Sequence, residues 1–399
     1  MGNWGRGLFL LCCLWMQAVL AETTAMPLVS RNYENERILL QAWQALQKNQ
    51  LDEALEAMAN LVRKEPDFRL AQLIYGDLLM AKATTIRRFG TNSNDRKELR
   101  EELENLLDEA KARFSHLVNP PATDAIPQVL MQLPRENAFA IVVDLSKSRL
   151  YLFRNDTDRP RLILDFYVSA GKNGTQKYRK GDKRTPIGVY FINERFPKEK
   201  LPDFYGAGAL PINYPNEWDR IHRRTGYGIW LHGTPTDTYS RPPRASDGCV
   251  ALSNSDFQML EELTGVGTPV IISEQVDWLS QKEWQETRKE FLDRLGQWTQ
   301  WWQGRDVNSV LSSYAPDFRN QSRNLENWKR EIRWVMTVKP ERGGDLSEYT
   351  ILGYPGPTPM MLVSYATTGK DTASGVVRRQ LWRREAEKKE WRIIYEELG

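Results

Sequence analysis

Residues 138–154 read AFAIVVDLSKSRLYLFR, two runs rich in β-branched and aromatic residues on either side of Ser146-Lys147-Ser148. Two such runs around a short polar connection are typical of a β-hairpin. The segments LILDFYVSAG at 162–171 and TPIGVYFI at 185–192 continue the strand character, with glycine and proline as breaks. We therefore predict a mainly β domain over residues 138–274.

The region before this domain has a different periodicity. From residue 33 to residue 118, apolar residues recur at three- and four-residue spacing among Ala, Glu, Lys and Gln, which indicates α-helices. Part of it resembles one helical pair of the tetratricopeptide type. A single pair cannot form a solenoid, so a helical cap or dimerisation arm is favoured over a peptide-binding groove. Residues 119–137, which begin NPPATDAIP, are predicted to form a linker.

The region after the β domain, residues 280–399, begins with a tryptophan-rich helical pattern and ends in strands. This order indicates an α+β domain, and its tryptophans are predicted to be core residues. The Tyr314-x-x-x-Phe318 step and the final Trp-x-Ile-x-x-Glu strand resemble the nuclear transport factor 2 (NTF2) fold. That fold hosts enzymes, ligand pockets and adaptors, so no function follows from it.

Composition and the N-terminus point to an exported protein. The 55 Lys and Arg against 52 Asp and Glu leave a formal charge of +3, too small for a nucleic-acid binder. Residues 1–21 have the charged start, the apolar run and the terminal Ala21 of a signal peptide. The run is shorter than the roughly 20 residues that span a bilayer. We predict cleavage after Ala21, no transmembrane segment in the mature chain and a periplasmic location.

Cleavage would leave Cys249 as the only cysteine. Such a thiol is either buried and inert or retained for its reactivity, and the count alone does not decide. The surrounding pattern favours reactivity, because His232 ends the strand-like GIWLH and Cys249 opens the apolar CVAL. A loop between two strand ends would let the imidazole activate the thiol. Gly248 permits a sharp turn, so the amides of Gly248 and Cys249 are candidates for an oxyanion hole.

Other interpretations of these residues stay open. A lone cysteine on an apolar strand and a lone histidine are often only packed side chains. A zinc site is disfavoured, since one cysteine and two usable histidines fall short of the required ligands, and no metal or cofactor is predicted. Asn254-Ser255-Asp256 precedes a helical pattern, so Asp256 is predicted to begin a helix and not to act as a catalytic acid.

The ordered motifs of the β domain resemble the L,D-transpeptidase catalytic domain, also called the YkuD-like domain. The resemblance rests on IVVDLSKSRLYLF, KRTPIGVYFI, His232-Gly233-Thr234 and Ser246-Asp247-Gly248-Cys249. It implies a β-sandwich-like fold with Cys249 as nucleophile and His232 as base and acid. Two positions depart from the family pattern, because Asp247 stands where a second histidine is usual and Ala251 where an arginine is usual.

The departures leave the substrate contacts open. Arg241 or Arg244 in SRPPRA is a candidate to hold a substrate carboxylate, with a solvated loop as the equally weighted alternative. The remaining expected site residues are Gly233 in the catalytic centre and, for substrate binding, Ser246, Asp247 and Tyr239.

The resemblance implies acyl transfer on peptidoglycan stem peptides. The primary prediction is L,D-transpeptidation, in which Cys249 attacks the third stem residue, expels D-alanine and passes the acyl group to another stem or an attached protein. Close behind is L,D-carboxypeptidase trimming, because the three-domain layout resembles the cell-shape carboxypeptidases of helical bacteria. Further alternatives are release of an attached outer-membrane protein and an inactive wall-binding scaffold. A periplasmic protein partner for the helical or C-terminal domain is an added hypothesis.

Overall fold

The computed structural model describes residues 31–82, 97–134, 138–157, 159–320, 323–338, 346–367, 376–387 and 390–398. The predicted signal peptide lies outside these residues. Within them, no helix combines the length and the apolar character needed to cross a bilayer.

The N-terminal part of the described chain is helical, as predicted. On its second helix the buried residues Ala54, Leu55, Met58 and Leu61 recur at helical spacing, so one face packs against the neighbouring helices. The described helices are α1 (Arg31–Gln47), α2 (Leu51–Lys64), α3 (Arg69–Ala81) and α4 (Lys97–Val118).

Buried ion pairs join this helical domain to the β domain. Glu36 on α1 accepts hydrogen bonds from Arg113 on α4 at 2.6 Å and from Arg149 of the β domain at 2.9 Å. Arg113 also pairs with Glu109 at 2.9 Å, and Arg149 with Asp165 at 3.2 Å. Glu36, Arg113 and Arg149 are at most 1% exposed. Burial of a charge is costly unless it is paired, so removal of one member leaves an unbalanced charge at the interface.

We expect Glu36→Ala to lower the free energy of unfolding by about 3 kcal/mol, because two buried guanidinium groups each lose a carboxylate. Chemical denaturation with a fluorescence readout measures the change. Glu34→Ala is the matched control on the same helix, since its pair with Lys64 is exposed and should contribute less than about 1 kcal/mol. Equal effects of the two substitutions would contradict the assignment.

The strands of the β domain are β3 (Phe139–Asp144), β4 (Arg149–Asp156), β5 (Arg159–Tyr167), β6 (Ala170–Gly171), β7 (Gly188–Phe191), β8 (Phe196–Pro197), β9 (Gly208–Pro211), β10 (Trp230–His232), β11 (Arg244–Ser246), β12 (Val250–Ala251) and β13 (Pro269–Ser273). They form a five-stranded sheet in the order β5-β4-β3-β13-β7 and a four-stranded sheet in the order β12-β10-β9-β8. The predicted hairpin is confirmed as antiparallel β3 and β4, with Val142 opposite Tyr151.

Two α-helices accompany these sheets, α5 (Glu217–Ile221) and α6 (Asn254–Leu263). The predicted helix start at residue 254 is confirmed, because the Ser253 side chain caps α6 by accepting a hydrogen bond from the Asp256 amide. Both faces of the five-stranded sheet are covered. Ile141 and Val143 enter the core of the β domain, whereas Ala140 and Val142 enter a core shared with the C-terminal domain.

The C-terminal domain is α+β, as predicted. Its tryptophans Trp298 and Trp302 are buried core residues with ring centroids 5.4 Å apart, whereas Trp334 is 51% exposed and departs from the core prediction. Its core continues onto one face of the five-stranded sheet. Removal of the whole domain would therefore expose apolar surface on that sheet. The elements are β14 (Trp278–Leu279), α7 (Gln281–Gln303), α8 (Val307–Ser312), α9 (Leu325–Val338), β15 (Thr350–Gly353), β16 (Met360–Thr367), β17 (Val376–Arg384) and β18 (Trp391–Leu398).

The linker prediction for residues 119–137 needs correction. The segment contains β1 (Ile126–Pro127), which pairs with β14, and β2 (Leu130–Gln132), which is an edge strand of the C-terminal sheet β18-β17-β16-β15-β2. Leu130 and Met131 are fully buried. The connection is thus a packed part of the C-terminal domain, and only its first residues have the character of a linker.

Candidate active site

Two parallel strands bring the cysteine and the histidine together. In the pairing of β10 with β12, Leu231 lies opposite Val250 and His232 opposite Ala251. Side chains alternate along a strand, so His232 and Ala251 share one face, and Cys249, two residues before Ala251, projects to the same face. Leu231 and Val250 point the other way, into the core. Cys249 and His232 are therefore diagonal neighbours on one face, and no hydrogen bond joins the Cys249 Sγ to the His232 Nε2 in this structure.

A tight turn presents Cys249. Gly248 has φ of +127°, and a Cβ built there would lie 2.7 Å from the Arg184 carbonyl oxygen, so glycine is required. The Gly248 amide donates to Ser246 Oγ at 3.1 Å, and the Ser246 hydroxyl donates to the Cys249 carbonyl at 2.6 Å. The Gly248 carbonyl accepts from the buried Thr185 hydroxyl at 3.0 Å. These bonds fix the backbone on both sides of the sulfur.

The same bonds correct two expectations. Ser246 is only 2% exposed and both hydrogen bonds of its hydroxyl serve the turn, so it is a structural residue and not a substrate contact. The Gly248 amide is occupied by Ser246 and cannot also face an oxyanion. The Cys249 amide remains the candidate for that role.

His232 has the properties of a neutral general base. Its Nδ1 lies 2.6 Å from the Gly233 carbonyl oxygen, which can only accept, so the proton belongs on Nδ1 and Nε2 carries a lone pair. The ring is fully buried, and Nε2 has no hydrogen-bond partner among the described residues. Burial lowers the pKa of His232 to about 4, with Arg241 acting in the same direction and the Gly233 bond against it. The imidazole is therefore uncharged at neutral pH.

Cys249 rests as a thiol. Its Sγ lies 3.3 Å from the Gly228 carbonyl oxygen, and the residue is partly exposed. Burial of the sulfur raises the pKa of the Cys249 thiol, while the Trp230 amide and the cations Arg241 and Lys177 oppose the rise and Asp247 adds to it. Since the thiol is not ionised at rest, acyl transfer at this sulfur would require a base to take its proton.

Comparisons with known proteins identify two of the domains. Residues 138–272 match the L,D-transpeptidase catalytic domain, described as the YkuD family. The chain contains an L,D-transpeptidase domain. Residues 290–397 match the Cds6 C-terminal NTF2-like domain, so the expected NTF2-like fold after the L,D-transpeptidase domain is confirmed. No curated protein sequence matches the chain.

Solved structures extend the similarity beyond the L,D-transpeptidase domain. Bd1075 of Bdellovibrio bacteriovorus is 25% identical, with a TM-score of 0.58, and the match covers 69% of this chain and 99% of that one. The helical cell shape determining protein Pgp2 of Campylobacter jejuni is 22% identical, with a TM-score of 0.56, over 68% of this chain and 95% of that one. The multidomain architecture predicted from the sequence is thus found in other proteins.

Aromatic side chains beside His232 in the L,D-transpeptidase domain were not indicated by the sequence. The rings of Phe204 and Tyr205 lie 5.9 Å and 5.2 Å from the His232 ring. The Arg241 guanidinium stacks over Phe204 at 4.4 Å. The segment PDFYGAG that carries both aromatics has no motif of its own, so only the fold reveals that they surround the base.

The remaining predicted residues lie in different places. Arg241 is half-buried and its charge acts on both His232 and Cys249, so it belongs to the site. Asp247 is exposed and pairs with Lys172 at 2.8 Å, which lowers the pKa of the Asp247 carboxyl and neutralises part of its charge. Gly233 contributes through its carbonyl bond to the imidazole.

The positions of Tyr239 and Arg244 correct their predicted substrate contacts. The Tyr239 ring stacks on Phe68 of the helical domain at 4.3 Å between centroids and is partly buried there. The Arg244 guanidinium lies 3.8 Å from Asp108 on α4. Both side chains therefore face the helical domain. Among the described residues, no group of three or more His, Cys, Asp and Glu is arranged to hold a metal ion.

Proposed function

We propose that this protein is a cysteine acyltransferase that opens the amide after the third residue of a peptidoglycan stem peptide. The observation that carries the proposal is the bare Nε2 of a neutral His232 on the same sheet face as the Cys249 thiol. The L,D-transpeptidase family acts on peptidoglycan, which implies an extracytoplasmic site of action. The periplasm is our proposal for that site, in keeping with the predicted signal peptide.

The first half-reaction transfers one proton and forms one bond. His232 Nε2 takes the thiol proton as the Cys249 sulfur attacks the scissile carbonyl. The Gly233 carbonyl, already bonded to Nδ1–H, stabilises the imidazolium that results. The imidazolium then protonates the departing nitrogen, so D-alanine leaves with a neutral amine. The stem remains as an acyl-thioester on Cys249.

The second half-reaction returns the enzyme to its resting state. The amine of a second stem loses a proton to His232 and attacks the thioester, which gives a 3→3 cross-link and the free Cys249 thiol. Arg241 is the cation best placed to bind the terminal carboxylate of the donor stem, in place of the arginine that Ala251 replaces. Asp247 is held by Lys172 and so does not compete strongly for that guanidinium.

Water is the second candidate acceptor, which would make the enzyme an L,D-carboxypeptidase. One observation favours it. The helical domain forms a wall beside the site and leaves a cleft of about 550 Å³ that Phe204 and Arg241 also line. Such a wall restricts the approach of a second, bulky stem more than that of water. The similarity to a helical cell shape determining protein supports a role of such trimming in cell shape.

Mass spectrometry of purified muropeptides incubated with the protein tests the proposal. We expect disaccharide-tetrapeptides to be consumed, with 3→3 dimers as products if the acceptor is an amine and tripeptides if it is water. Stems that end at the third residue are the control substrate for donor specificity, because they lack the scissile amide. Unchanged tetrapeptides in the presence of a folded protein would overturn the proposal and favour the wall-binding scaffold.

A further inference from the structure

The loop between β10 and β11, residues 233–243, touches two parts of the molecule at once. On one side Arg241 stacks on Phe204 beside the catalytic histidine. On the other side the two residues before it are bound by the helical domain. Tyr239 stacks on Phe68, and the Ser240 hydroxyl donates to Glu109 on α4 at 2.7 Å.

The helical side of this contact is firmly built. Phe68 is fully buried, and the Asn35 side chain donates to the Tyr239 hydroxyl at 2.9 Å. Glu109, which accepts from Ser240, is fixed by its buried pair with Arg113. A ring stacked on a buried phenylalanine and hydrogen-bonded at its far end has little freedom to move. The loop is thus attached to the domain that contributes no residue to the catalytic pair.

A second connection reaches the Arg241 backbone. The Arg113 guanidinium lies over the Tyr167 ring at 3.9 Å, and the Tyr167 hydroxyl donates to the Arg241 carbonyl at 3.0 Å. The buried ion pairs of the helical domain therefore lie on one side of Tyr167 and the active-site loop on the other. The Arg241 backbone and its two preceding side chains are all held by contacts that begin at the helical domain.

We propose that the helical domain is a positioning element of the active site, which holds the Arg241 guanidinium over Phe204, beside His232, through Tyr239. The stem-peptide substrate in this inference comes from the proposed function, whereas the contacts that hold Arg241 do not depend on it. Tyr239 is a positioning residue and does not touch the reacting atoms. The domain thereby has a catalytic purpose that a helical cap or dimerisation arm would not have.

A double-mutant cycle tests this coupling. Arg241→Ala should raise KM for the tetrapeptide roughly 10- to 100-fold, as expected for the loss of a charge-assisted carboxylate contact. Tyr239→Ala should raise KM in the same range and change kcat less, because the nucleophile and base stay in place. The variant with both substitutions should be no worse than Arg241→Ala alone. If the increase in KM of the double variant equals the product of the two single increases, the two residues act independently and the proposal is overturned.

A second readout does not depend on the stem substrate. The rate of alkylation of Cys249 by iodoacetamide follows the thiolate fraction, which the Arg241 charge increases. Tyr239→Ala should move the alkylation profile to higher pH, as Arg241→Ala does, whereas a purely structural role would leave it in place. If the native protein processes no muropeptide, the proposed function fails. The alkylation profile still tests whether Tyr239 holds the Arg241 charge near Cys249.

Further variants protect the test against misfolding. Trp43→Ala is the matched control, since Trp43 is an aromatic residue of the same domain that contacts Phe114 and not the loop. It should leave KM and the alkylation profile unchanged. Tyr239→Phe keeps the stacked ring and should restore most of the native KM. If Tyr239→Ala does not fold, Ser240→Ala should produce a smaller KM increase, and an unchanged KM in that variant would contradict the proposal.

Discussion

Cys249→Ala is expected to abolish turnover, with a loss of at least about a thousandfold in kcat. The reaction has no route to an acyl-thioester without the sulfur, and residual rates without a nucleophile come only from binding and oxyanion contacts. The thiol makes only weak sulfur contacts, to the Gly228 carbonyl and the Trp230 amide, so its removal should change the free energy of unfolding little. Steady-state assays on disaccharide-tetrapeptides, together with thermal unfolding, measure both effects.

Covalent trapping makes the Cys249 prediction independent of the acceptor. A carbapenem should add its mass to the native protein and not to Cys249→Ala, because only the sulfur forms the acyl bond. Cys249→Ser is the conservative control, in which a hydroxyl of similar size should also react very slowly. If Cys249→Ala retains more than a hundredth of the native rate, the nucleophile is another residue and the mechanism is wrong.

Local signals in the sequence predict much of the fold around this site. The hairpin at residues 138–154 and the helix beginning at residue 254 depend on neighbours in the chain, so their patterns are visible without the fold. The pair of His232 and Cys249 is also visible, because each follows or opens an apolar strand segment. The L,D-transpeptidase domain follows from its four ordered motifs, and the NTF2-like domain follows from the Tyr314-x-x-x-Phe318 step and the final Trp-x-Ile-x-x-Glu strand.

Contacts between distant segments escape such patterns. The sequence does not indicate that Ser246 binds the Gly248 amide, since any serine in a polar loop has the same appearance. Tyr239 looks like a substrate contact by proximity to Cys249, yet its partner Phe68 lies in another domain. The strand β2 is too short for periodicity to distinguish it from the proline-rich segment before it. In each case the role of the residue depends on a partner that is brought next to it only when the chain folds.

His232→Gln is expected to lower kcat/KM by about 10²- to 10⁴-fold, the usual contribution of a positioned base. Glutamine preserves the size and can still hydrogen-bond, but it cannot accept the thiol proton. His222→Gln is the matched control, because His222 is exposed and its imidazole contacts Trp218 of the adjoining helix, away from Cys249. That control should keep the native rate. Comparable losses in the two variants would show that the buried imidazole has no special role.

The pH dependence of the native enzyme gives the sharper test of the same residue. His232 has a pKa of about 4 because it is buried, so the base should remain unprotonated through mildly acidic pH. The acidic limb of kcat/KM should therefore fall near pH 4, well below the ordinary histidine value of 6.5. The unfolded chain takes up this proton first as pH falls from 6.5, so stability should decline over that interval in the native protein. His232→Gln should lack both effects, and an acidic limb near 6.5 would mean that the imidazole is exposed to solvent and not buried beside the thiol.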